Sequence, residues 1–126
     1  MIDLHVGQKF TWQRTFTSRD VELFAELSGD KGAHHVQPDK DGRVMVHGLL
    51  TATIPTKIGG DLNYIAKDMD FEFVRPVFVG DTIAAEITIK KVELQEKLLR
   101  GEIEGVCRNQ EGKVVLFFKS SGIVRE

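Results

Sequence analysis

Val46–Gly60, VHGLLTATIPTKIGG, is the one long apolar segment whose character is helical and not alternating. From Gly48 onward, Leu49, Leu50, Ala52, Ile54 and Ile58 are apolar, and Gly59-Gly60 reads as a stop, so a buried helix is expected over residues 48–59. Pro55 conflicts with this in part, because mid-helix it removes one hydrogen bond and should bend the axis. What surrounds this helix fixes the fold class.

Downstream the pattern changes to period two. Met69, Phe71 and Phe73 alternate with Asp68, Asp70 and Glu72. Ile83, Ala85, Ile87 and Ile89 alternate with mostly polar neighbours, and Leu99, Ile103 and Cys107 share a parity opposite Arg100, Glu102, Glu104 and Arg108. The run Asn109–Lys113, NQEGK, reads as a hairpin turn, with a last strand over about 113–124. A meander of four antiparallel strands and one apolar helix predict an α+β fold in which the sheet wraps around the helix. Phe117 and Phe118 are adjacent, so the last strand carries apolar groups on both faces, and a dimer that covers sheet edges is expected.

Upstream, Lys9–Phe16 is rich in β-formers and reads as a short strand. Thr17 with Asp20 has the form of a helix start. Val21, Phe24, Ala25 and Ser28 then make one stripe on a helix over about 19–28, which Gly29 ends. Residues 36–46 read as loop.

Composition narrows the classes. The chain has 126 residues, 41% of them hydrophobic and 29% charged, which suits a single domain over 1–126. A net charge of −2 supplies no basic field, so nucleic acid is not an expected partner. No apolar run approaches the ~20 residues of a membrane span. The N-terminus lacks a basic and apolar leader, and Cys107 is alone, so a cytoplasmic protein is expected.

The polar chemistry gathers in Ser28–His35, SGDKGAHH, and in His47-Gly48. Asp30 follows directly on a helix stop, where an aspartate often only fixes a turn. His34 and His35 are adjacent, and on an extended backbone they point to opposite sides, so at most one shares a site with Asp30. Asp30, His34, His35 and His47 lack the paired or Cys/His spacing that makes a zinc site persuasive, and no metal is expected. Cys107 reads as a small buried hydrophobe. Gly48 either packs closely or lets an oxygen approach the free N–H groups of a helix start.

The string FTSRDVELFAELSGD (16–30), then His35, His47-Gly48-Leu49-Leu50 and FEFVRPVFVGDTI (71–83), resembles the MaoC-like or (R)-specific enoyl-CoA hydratases of the hot dog fold. The matching elements run in order from about Phe16 to Ile89. The resemblance implies an antiparallel sheet wrapped around a long central helix. It also implies reversible hydration of trans-2-enoyl thioesters, of coenzyme A or of an acyl carrier, to (R)-3-hydroxyacyl thioesters. Asp30 and His35 fall on the family's catalytic pair, and Gly48 falls on the glycine whose N–H meets the thioester oxygen. His34 stands where the family has Ile or Leu and is expected to be a bystander. His47 serves to mark where the helix of Gly48 begins.

Two departures are visible. Gly32 and Ala33 replace the family's Asn-Pro, and the connection from His35 to His47 is shorter than the family's. A hot dog thioesterase and a non-catalytic acyl-thioester-binding domain or dehydratase partner subunit remain the alternatives. The implied chemistry needs no cofactor beyond the thioester substrate. Candidate cations for its phosphates are Arg75, Lys57, Lys67, Lys90 and Lys91, and the expected assembly is a homodimer or larger.

Overall fold

The computed structural model describes residues 3–125, so Met1, Ile2 and Glu126 of the expected domain lie outside it. The chain forms β1 (Lys9–Thr15), α1 (Ser18–Ser28), α2 (Ala33–Val36), α3 (Gly48–Thr51), α4 (Thr53–Asp61), β2 (Tyr64–Phe73), β3 (Thr82–Gln95), β4 (Leu98–Arg108) and β5 (Val114–Arg125). The strands make one antiparallel sheet in the order β1-β3-β4-β5-β2. Helix α4 lies against β1, β3 and β2, touching both edge strands, so the sheet curls round it. The sheet wraps the helix as expected, but only β3, β4 and β5 form a meander: β2 crosses to pair with β5 and β1 pairs with β3.

The core explains the alternation. Ile83, Ala85, Ile87 and Ile89 of β3, Leu99 and Cys107 of β4 and Leu116 and Phe118 of β5 are buried, and all but Ile89 and Leu99 form one core cluster with Ile54 and Ile58 of α4. Gly105 of β4 lies opposite Phe118, whose ring occupies the space a side chain at Gly105 would need. Burial pushes the Cys107 thiol up to about 12, which suits a packing residue and not a reactive one.

Local signals set the ends of α1. Thr17 accepts from the Asp20 N–H while the Asp20 carboxylate accepts from the Thr17 N–H, a reciprocal cap. Gly29 closes the helix at φ 79°, donating its N–H to the Ala25 carbonyl at 2.9 Å. The buried stripe is narrower than expected. Val21 and Ala25 are buried, whereas Ser28 is exposed and its hydroxyl donates to the Phe24 carbonyl.

The helix over 48–59 differs from expectation in two ways. It breaks at Ala52, three residues before Pro55, into α3 and α4, and it continues through Gly59-Gly60 to Asp61. Pro55 has no N–H to give to the preceding turn, so the break falls one turn upstream of the ring. The Thr53 hydroxyl donates to the Leu50 carbonyl at 2.5 Å and the Thr56 hydroxyl to the Ala52 carbonyl at 3.0 Å, which satisfies acceptors around the kink. Glycines tolerate helix at some cost and stop it only where the next residues turn away. Here that happens at Asn63, with φ 55°. No helix among the described residues is long and apolar enough to cross a membrane.

Candidate active site

The end of α1, the turn α2 and the start of α3 converge on one pocket of about 550 Å³, closed on the other side by residues 73–77. Asp30, His34, His35, His47 and Gly48 all line it. Residues separated by up to 18 positions are thus brought together, and Asp30, His35 and Gly48 are among them.

Asp30 follows the Gly29 stop, and its N–H donates to the Ser28 hydroxyl at 3.0 Å. One carboxylate oxygen accepts from the Gly32 N–H at 3.2 Å, and the other lies 3.8 Å from His35 Nε2. The aspartate side chain is 56% exposed, whereas His35 is 7% exposed. His35 Nδ1 is 2.7 Å from the Met45 carbonyl, an acceptor only, so Nδ1 carries the proton. In its neutral form the ring would present the lone pair of Nε2 towards Asp30. The 3.8 Å separation exceeds hydrogen-bond length, so the two acceptors flank a space instead of bonding one another.

The histidine pair does not behave as an extended dipeptide. Residues 33–36 form a helical turn, in which neighbours lie about 100° apart and not on opposite sides. The His34 ring packs against His35 at 3.9 Å between centroids and lines the same pocket, although exposed. Both rings therefore border the pocket, but among the described residues only His35 comes within 4 Å of the Asp30 carboxylate.

His47 contributes far more than a marker. It is 2% exposed, its Nε2 lies 2.9 Å from the Asp30 carbonyl, and its ring stacks on His35 at 3.8 Å and 17°. Phe24 of α1 packs against it at 4.9 Å. The only sequence signal for this was the placement of an imidazole directly before the helix glycine. His47 Nδ1 and the hydroxyl of Thr51, one turn on, have no hydrogen-bond partner among the described residues.

Asp30, His35 and His47 each offer a ligand atom within 4.8 Å of the others. A shared ion fits poorly. His35 Nδ1 and His47 Nε2 are both bound to carbonyls, which leaves lone pairs on two nearly parallel rings 3.8 Å apart. Zinc needs those lone pairs to converge at about 2 Å from each nitrogen. The arrangement suits hydrogen bonding.

At Gly48 the first intrahelical bond is Thr51 N–H to the His47 carbonyl at 3.0 Å, so the Gly48 N–H precedes the hydrogen-bonded turn. A Cβ at Gly48 would stand 2.7 Å from the ring of Phe73, which roofs this part of the pocket. Of the five candidate cations, Arg75 alone lines the pocket, with its Nη1 donating to the Val114 carbonyl at 2.7 Å. Lys57 pairs with Asp61 at 2.6 Å, and Lys67 and Lys91 line a separate cleft.

The short connection after His35 closes on itself. Asp39 accepts from the N–H groups of Asp41 and Arg43, both at 2.9 Å, and the Arg43 guanidinium lies 4.2 Å over the Phe78 ring. Backbone bonds from Met45 to the His34 carbonyl and from Val79 to the Val44 carbonyl, both at 2.9 Å, return the chain to the fold.

No family model matches the chain. Among curated proteins it is 32% identical over 97 residues to the (R)-specific enoyl-CoA hydratase of Aeromonas caviae, covering 68% of this chain and 71% of that one. To the (R)-specific enoyl-CoA hydratase of Rhodospirillum rubrum it is 28% identical over 107 residues, covering 77% and 74%. Among solved structures it superposes on the (R)-hydratase from A. caviae involved in PHA biosynthesis with a TM-score of 0.85 at 26% identity, over 98% of both chains. With the fold matched along the whole described chain and the sequence over two thirds of it, the chain belongs to the MaoC-like (R)-specific enoyl-CoA hydratase family, a family of enoyl-thioester hydratases and dehydratases built on the hot dog fold.

Proposed function

We propose that this protein adds water reversibly across trans-2-enoyl thioesters to give (R)-3-hydroxyacyl thioesters. The observation that carries the reading is that Asp30 Oδ2 and His35 Nε2 stand 3.8 Å apart in the pocket that Gly48 also lines. A water lying against both donates one hydrogen to each. As its oxygen adds to carbon 3, one of the two groups takes a proton and the same pair returns it to carbon 2. Both groups lie on one side of the substrate, so hydroxyl and hydrogen add to the same face. The thioester oxygen gains enolate charge, and the Gly48 N–H stabilises it by about 3 kcal/mol on the scale of a single oxyanion donor. Neither metal nor cofactor enters this chemistry. Arg75 at the pocket is the cation best placed for a phosphate of coenzyme A or of an acyl carrier.

Incubation with crotonyl-CoA tests this, with enoyl absorbance and free thiol followed together. Loss of conjugation without thiol is expected. Thiol release would point to a thioesterase, and binding with neither change to a non-catalytic acyl-thioester domain. Asp30→Asn and His35→Ala should each lose about 10²-fold or more in turnover while remaining folded. Wild-type rates in both would remove the pair from the mechanism.

The functional unit in this reading is a homodimer. Strand β2 ends the sheet with an unpaired edge, and its Met69 and Phe73 are 50% and 52% exposed. A second copy of that edge would pair with it and cover them.

A further inference from the structure

We infer that His47 is the positioning residue of the Asp30–His35 pair. The inference deepens the hydratase reading and rests on it for its kinetic arm.

The Asp30 carboxylate is poorly held for a group that must meet a water within a few tenths of an ångström. It is 56% exposed, and its only hydrogen bond among the described residues comes from the Gly32 N–H at 3.2 Å. Gly32 has no side chain to stiffen that turn. The main chain of Asp30 fixes its place, through the Ser28 hydroxyl on one side and His47 on the other. The Asp30 carbonyl can only accept, so His47 Nε2 must carry the proton that it donates at 2.9 Å. This bond ties the segment after α1 to the residue that caps α3, and Gly48 follows directly.

The same ring sets the other partner. His47 stacks on His35 at 3.8 Å and 17° and is buried to 2% exposure, so His35 leans on a side chain that cannot swing into solvent. His35 is meanwhile pinned at Nδ1 by the Met45 carbonyl. A single imidazole thus contacts both proton-handling residues, and the 3.8 Å gap between them follows from where it stands. Its Nε2 is committed to the Asp30 carbonyl, so that nitrogen acts on the pair through the main chain.

Two substitutions separate the hydrogen bond from the packing. His47→Gln carries an amide nitrogen close to the position of Nε2 and keeps the donor. His47→Phe keeps a stacked ring and offers no N–H. With crotonyl-CoA, His47→Phe should lower kcat about tenfold or more while KM changes less than about threefold, since the acyl contacts are untouched. His47→Gln should recover most of that loss. Equal rates in the two variants, whether high or low, would overturn the assignment and leave His47 as packing. Crystal structures of both variants decide the matter independently of turnover. The Asp30 Oδ2 to His35 Nε2 separation should widen in His47→Phe and stay near the parent value in His47→Gln. An unchanged separation in His47→Phe would overturn the proposal, whereas a wild-type protein inert towards crotonyl-CoA would sink only the hydratase reading.

Discussion

Gly48 is the residue where stability and activity should part company. An alanine there gains helix propensity, up to about 1 kcal/mol. Its Cβ would stand 2.7 Å from the Phe73 ring, the far end of a side chain that can shift by a few tenths of an ångström. Gly48→Ala should therefore melt within a few degrees of the parent, yet turn over crotonyl-CoA about tenfold more slowly, because the displaced ring and the new methyl both crowd the Gly48 amide. Thermal melting and initial rates check the two halves, and an unchanged rate would move the reacting carbonyl away from this amide. At this scale the sequence was informative about Asp30, His35 and Gly48 as members of one pocket, since spaced motifs mark residue types. It marked His47 only as the residue before the helix glycine, because stacking between imidazoles depends on how a four-residue turn and a distant helix start are placed in space.

Among the elements, α1 is written most locally, and its capping can be titrated. Partial burial works to raise the Asp20 carboxyl, but hydrogen bonds from Thr17 and the nearby Arg14 guanidinium outweigh it and hold the group below its ordinary value. A carboxyl depressed in the folded state stabilises the protein above the unfolded carboxyl value, about 3.9, and that contribution fades as pH falls through the folded value. Asp20→Asn should accordingly be less stable than the parent near neutral pH, and the difference should shrink as pH falls below about 4. Urea melts at the two pH values measure it, and a gap that grows on acidification would contradict the sign. The start and stop of α1 could be read from Thr17, Asp20 and Gly29 because caps use neighbours in sequence. The kink at Ala52 could not be placed, although Pro55 announced one. Where a helix yields depends on how nearby acceptors are satisfied, and here the Thr53 hydroxyl serves the Leu50 carbonyl while the Thr56 hydroxyl joins its own N–H on the Ala52 carbonyl.

For the whole molecule, the open edge at β2 sets the expected assembly. Half-exposed Met69 and Phe73 beside it, and Phe117 at 46% exposure on the neighbouring β5, leave an apolar margin at the sheet's end. Light scattering should give twice the 14.2 kDa chain mass, and Met69→Lys should shift the protein towards monomer without unfolding it. A monomeric parent would refute the paired edge. Period-two alternation and one apolar helix were enough to deduce the architecture, because burial imposes both patterns. That Phe73 joins residues 30, 35 and 48 at one pocket was not deducible from pattern, since only closure of the sheet around α4 brings them together.

The self-contained turn from Asp39 to Arg43 offers a place to rebuild the enzyme. Its hydrogen bonds are internal, so a longer segment grafted there would replace them without cutting anything that holds Asp30 or His35. Doubling a flexible loop costs only about 0.6 kcal/mol in closure entropy. The turn can thus be exchanged as a cassette at this one site, leaving Asp30 and His35 on a fixed chassis.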